Sequence, residues 1–124
     1  FPSAGGRPFR TLEIPSTLPT LDETLGWPEL PTDAAQREFY RGAVAGAQLQ
    51  TTVHTVHAEV EGRSKRRLFE AILDGWIGDG VHFDTLGEIA RDVLTRRERI
   101  PVRELTRITL PGRGGTVASG WPGN

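Results

Sequence analysis

Thr51-Thr52-Val53-His54-Thr55-Val56, followed at once by His57-Ala58-Glu59-Val60-Glu61-Gly62, is the most informative run in the chain. Its first half is dense in Val and Thr, which predicts a strand over residues 51–60. Its second half crowds a His, two carboxylates and a Gly onto the strand's C-terminal tip. Parallel α/β sheets and barrels gather their chemistry at that end. Side chains alternate along a strand, so Val53, Thr55, His57 and Glu59 share one face. Thr52, His54, Val56, Ala58 and Val60 share the other. His54 and His57 then point apart and do not form a His-x-x-His metal pair.

Working outward, residues 64–78 carry Leu68, Phe69, Ile72, Leu73, Trp76 and Ile77 at helical spacing, and Gly80 stops that helix. Upstream, Asp33 is placed to cap a helix running to about Gln48, with Phe39, Ala43 and Ala47 on its buried face. Downstream, Val81-His82-Phe83 reads as a short strand. Asp84 or Thr85 then caps a helix with Leu86, Ile89, Ala90, Val93 and Leu94 facing inward. Near the start, residues 1–10 form a Gly/Pro loop and residues 11–18 an extended segment broken by Pro15. Residues 20–32, with Trp27-Pro28 and Leu30-Pro31, read as surface loop. Residues 96–124 are an irregular tail, in which residues 102–110 suit an extended conformation. Strands thus alternate with helices, three of each, in the order β, α, β, α, β, α. That order predicts an α/β architecture with parallel strands, and part of a barrel rather than a whole one.

The composition narrows the functional classes. The chain has 124 residues, enough for one modest domain. Its 15 Lys and Arg nearly cancel its 16 Asp and Glu, so it has no overall affinity for polyanions and no nucleic-acid partner is expected. There is no Cys, which removes disulfides, thiolate metal sites and a thiol nucleophile. No apolar run approaches bilayer-spanning length. The chain opens on Phe1 and contains no Met, so it is expected to be a piece of something longer.

Among the candidate site residues, His57 stands first. Imidazole titrates near neutrality and can give or take a proton at pH 7. On pattern alone a His at a strand end is more often structural. Glu59 is placed to orient the imidazole or simply to meet solvent, and Glu61 and Gly62 to shape the turn. Arg63, Lys65, Arg66 and Arg67 crowd the start of the next helix, where positive charge opposes the helix dipole. They suit a phosphate-bearing substrate or an anionic membrane. A solvated charged face accounts for them equally. Gly112-Arg113-Gly114-Gly115 resembles a phosphate-gripping loop only superficially, without a flanking strand and helix.

Two blocks resemble a known family. Ile14-Pro15-Ser16-Thr17-Leu18-Pro19-Thr20-Leu21-Asp22-Glu23 is similar to a segment of the 4-deoxy-4-formamido-L-arabinose-phosphoundecaprenol deformylases, with Ser16 and Leu21 where the family carries Val and Trp. Val53-His54-Thr55-Val56-His57-Ala58-Glu59-Val60-Glu61-Gly62 matches a second segment. Arg7-Pro8-Phe9-Arg10 and Gly80-Val81-His82-Phe83 follow the same order, so the likeness covers most of residues 7–95 and leaves out the tail. The family belongs to the NodB-type polysaccharide deacetylases, which fold as irregular (β/α) barrels. The resemblance implies that residues 1–124 are the C-terminal portion of such a domain. It implies a metal-dependent hydrolase of carbon–nitrogen bonds that removes the formyl group from an undecaprenyl-phosphate-linked amino sugar. That reaction belongs to the lipid A modification behind polymyxin resistance, at the cytoplasmic face of the bacterial inner membrane or in the cytoplasm. It casts His57 as general acid. It places the ligands of the divalent metal ion in an N-terminal part absent here, so that no metal ligand is expected in this chain and the chain alone is expected to be inactive. A related deacetylase of another N-acyl sugar, or a non-catalytic piece that binds sugar or lipid phosphate, are the competing readings.

Overall fold

The computed structural model describes residues 1–47, 51–109 and 114–120. The loop 112–115 singled out above therefore lies partly outside the described residues, as does Gln48. The chain divides into two units, Pro15–Phe83 and the paired ends Phe1–Ile14 with Asp84–Asn124.

The first unit is helical. Helix α1 (Leu21–Thr24) begins where Glu23 accepts the backbone N–H of Thr20 at 3.0 Å. Helix α2 (Asp33–Ala45) is capped by Thr32, whose hydroxyl accepts from Ala35 N at 3.1 Å. Helix α3 (Arg66–Gly78) follows a π-turn at Val60–Ser64, marked by the i→i+5 bonds Ser64 N→Glu59 O and Lys65 N→Val60 O. Gly80, at φ +78°, ends α3. Its N–H reaches Ile77 O and that of Val81 reaches Trp76 O, a Schellman motif. Leu68, Ile72 and Trp76, four residues apart on α3, are buried against Tyr40 of α2 and against Leu18 and Leu21. The Trp76 indole donates to Tyr40 O at 3.2 Å and ties α3 to α2.

The second unit carries the strands. Strands β1 (Pro2–Ala4) and β2 (Arg7–Pro8) form a hairpin through Gly5 and Gly6, both at positive φ, as a type I′ turn needs. Strand β3 (Arg103–Glu104) pairs with β1 in parallel. The Glu104 carboxylate accepts from Ser3 Oγ and Gly5 N, both at 2.6 Å, and the Ser3 hydroxyl holds it below the usual carboxylate range. Strands β4 (Thr106–Ile108) and β5 (Val117–Ser119) pair antiparallel. Helix α4 (Leu86–Leu94) has a reciprocal capping box between Thr85 and Glu88.

Helices and strands are thus mixed, with small sheets, but the elements do not alternate as the sequence predicts. Residues 51–57 join no ladder, and residues 58–64 turn rather than continue the strand. High Val and Thr content favours extended dihedrals, whereas a strand also needs a partner. Here the contacts gather at two points: Thr17 N and Leu18 N donate to Val53 O while Val53 N donates to Thr17 Oγ1, and Ser16 and Thr55 join through their hydroxyls. Residues 81–83 likewise form no ladder. Residues 1–10 are a hairpin rather than a loop, and residues 20–32 contain α1. Thr32, not Asp33, caps α2, because the cap hydroxyl must precede the first helical turn. Helix α4 buries no residue fully, and Leu86 and Leu94 stay exposed, against the expected inward face.

Candidate functional site

The segment 51–57 delivers His57 to the edge of the π-turn, beside α1. Its Nδ1 lies 3.1 Å from Asp22 Oδ1, and the two side chains are 45% and 49% exposed. Asp22 offers only an acceptor on the Nδ1 side of the ring. Asp22 is held below the usual carboxylate range, chiefly by the Thr20 hydroxyl, with the nearby His57 adding to the effect. Composition alone does not single out Asp22. Thr20-Leu21-Asp22-Glu23 is a capping-box sequence, however, and it fixes Asp22 in the exposed first turn of α1.

Glu61, one turn beyond His57, is 2% exposed. Its Oε2 accepts the His57 backbone N–H at 2.7 Å, and its own N–H donates to His57 O at 2.9 Å. Its other oxygen is buried with no hydrogen-bond partner. Glu59 is exposed, and among the described residues no hydrogen bond joins its carboxylate to His57.

His54 occupies a different environment. Its ring lies 5.1 Å from Tyr40, 6.0 Å from Trp76 and 6.2 Å from Phe69, centroid to centroid. Both ring nitrogens are buried without a hydrogen-bond partner of good geometry. Burial lowers its pKa below 6.5, with Glu61 partly opposing. The Tyr40 hydroxyl sits between Thr24 Oγ1 (3.0 Å) and Pro19 O (3.2 Å), and burial pushes its pKa up to about 12.

The basic cluster is half committed. Lys65 Nζ meets Asp33 at 3.0 Å and Arg66 meets Glu70 at 2.9 Å. Arg63 and Arg67 are exposed and make no ion pair among the described residues. A divalent ion needs three or more converging ligands. Among the described residues no three His, Asp or Glu side chains converge in that way, so the residues present do not fit a metal centre. Among them, too, no helix is long and apolar enough to cross a membrane.

Over 119 residues, 95% of its length, the chain is 33% identical to the probable 4-deoxy-4-formamido-L-arabinose-phosphoundecaprenol deformylase ArnD of Wigglesworthia glossinidia brevipalpis. It spans 39% of the length of that relative. The resemblance carried by residues 14–23 and 53–62 therefore extends through nearly the whole chain, including residues beyond Arg96 that motif matching leaves out. No family model matches the chain, and no solved structure matches it.

Proposed function

We propose, from its relation to this deformylase, that the chain is part of a hydrolase that removes an N-formyl group from a lipid-phosphate-linked 4-formamido-arabinose, and that His57 is its general acid. The observation that carries the reading is the His57–Asp22 pair. The two residues come from the two separate blocks that resemble the deformylases, and they meet at 3.1 Å with the imidazole open to solvent.

Amide hydrolysis adds water across the C–N bond. The formyl carbon takes the hydroxyl and leaves as formate, and the nitrogen must gain a proton before it departs as an amine. Protonated His57 supplies that proton from Nε2 while Asp22 keeps Nδ1–H oriented. Such help is worth about 10²–10⁴-fold in rate. The groups that deliver and activate the water are assigned to the rest of the protein, as are the ligands of the divalent ion that the resemblance implies. In this reading the chain alone does not turn over, and the whole protein closes the irregular (β/α) barrel.

Arg63 and Arg67 are the members of the basic cluster assigned to the substrate phosphate or an anionic membrane surface, at the cytoplasmic face of the membrane. Lys65 and Arg66 are already paired. The test is His57→Ala in the protein that carries this chain, assayed by amine release from an N-formyl sugar lipid. The expected outcome is a kcat lower by about 10²–10⁴-fold with metal content unchanged. An unchanged rate, or lost metal, refutes the assignment.

A further inference from the structure

We propose that Glu61 is the positioning residue of His57: it holds the backbone of residue 57 at both ends, and so sets where the imidazole points. The proposal rests on His57 being the general acid.

Both backbone polar groups of His57 are bound by the same residue. The N–H donates to Glu61 Oε2 at 2.7 Å, and the C=O accepts from Glu61 N at 2.9 Å and also from Val60 N at 3.0 Å, so the contact that depends on the Glu61 side chain is the one to the N–H. These bonds restrain the backbone of residue 57 and with it the direction of its Cβ. The imidazole then has one freedom left, rotation about its own bonds, and Asp22 restrains that from the ring's Nδ1. The chain around the clamp departs from regular geometry. The i→i+5 bonds of the π-turn begin at Glu59 and Val60, just after His57, and such turns often mark functional positions.

Stability alone gives little reason for a carboxylate here. Glu61 is 2% exposed, and one of its oxygens has no hydrogen-bond partner. A buried polar atom left unmatched is a cost that an apolar side chain of similar size would avoid. What such a side chain would not supply is the acceptor for the His57 N–H. The requirement is for an acceptor at that point, not for a charge. A glutamine, whose amide oxygen also accepts, though more weakly than a carboxylate, therefore meets it, and a methionine of similar shape does not.

The experiment compares Glu61→Met and Glu61→Gln, each made alone and together with His57→Ala, in the protein that carries this chain. Glu61→Met keeps the bulk and burial of the side chain, so the fold is retained. It is expected to lower kcat by about 10- to 100-fold, as small misplacements of a reacting group do, with KM within about twofold. Glu61→Gln is expected to restore kcat to within about threefold of the parent, because the clamp is rebuilt. In the His57→Ala background Glu61→Met is expected to cost nothing more, since there is no imidazole left to aim. An unchanged kcat in Glu61→Met overturns the proposal. So does an equal loss with and without His57, which would mean that Glu61 acts elsewhere. If His57→Ala by itself leaves the rate intact, it is the general-acid reading that has failed, and the two failures are told apart by that single variant.

Discussion

Replacing Asp22 by Asn separates an orienting carboxylate from a reacting one. The substitution keeps the shape of the side chain and removes the charge that faces His57 Nδ1 at 3.1 Å. In water two unit charges at that distance attract by about 1.3 kcal/mol. Both side chains are nearly half exposed, so the water limit is the relevant one. Exposed pairs measured by double-mutant cycles give about 0.2–1 kcal/mol. Up to about 1 kcal/mol of orienting interaction between the two side chains is at stake, or roughly a two- to fivefold loss in kcat. That is far below the about 10²–10⁴-fold expected when the acid itself is removed. The assay is steady-state amine release by Asp22→Asn, His57→Ala and the double variant, at low and high salt. Asp22→Asn should lose its small effect at high salt, where exposed charges are screened. A loss as large as that of His57→Ala would refute the reasoning, because Asp22 would then have to touch the reacting atoms. No loss even at low salt would show that the pair does not form in solution.

Other outcomes follow from the same contacts. His54 has its folded pKa lowered from 6.5 by burial, so the unfolded chain binds more protons in acid and stability falls as pH drops through about 6.5. His54→Phe should flatten the dependence of Tm on pH between 7.5 and 5.5, and an unchanged slope counts against a neutral buried His54. Replacing Arg63 and Arg67 by Gln should weaken binding to anionic vesicles more than replacing Lys65 and Arg66. The difference should vanish as salt screens charges beyond about 8 Å, and equal effects of the two pairs would remove the distinction between free and committed cations. Gln36 donates to Thr24 O at 2.7 Å and Leu30 O at 3.0 Å from a fully buried position. Gln36→Leu should cost about 1–3 kcal/mol in urea unfolding, and an unmoved midpoint would refute it.

The positions of α2, α3 and α4 were legible in this sequence, because amphipathic spacing is local information, whereas α1 was not. Leu68, Ile72 and Trp76 form the core stripe of α3 that their spacing predicts. His57 was legible as a candidate through its chemistry and its place beside Gly62. Its partners were harder to find. Asp22 lies 35 positions upstream, and only the turn geometry of α1 brings it to the imidazole. Glu61 was readable as a turn former, but not as an acceptor for the His57 N–H, since that requires the π-turn. The segment 51–57 misled for a related reason. Its residues prefer extended backbone, and preference for a conformation says nothing about which neighbour completes a ladder. The parallel pairing of β1 with β3 was invisible for the same reason, because both strands are short and have no pattern of their own.

That pairing also bears on how the chain is made. Ser3 aligns with Glu104 across 101 positions, so β1 leaves the ribosome long before its partner exists. At synthesis rates of about 5–20 residues per second the delay is roughly 5–20 s. Within this stretch, β1 has β2 along one edge throughout that time and waits for β3 along the other. The helical unit Pro15–Phe83 is complete during the same interval. Its early folding shortens the effective loop that must close when residues 103–104 arrive. An edge left open for seconds is also one that a neighbouring nascent chain's β3 can take. Exchange of that strand between copies is therefore the misassembly to look for when the protein is produced at high density, and Glu104, which caps the Gly5–Gly6 turn, would travel with it.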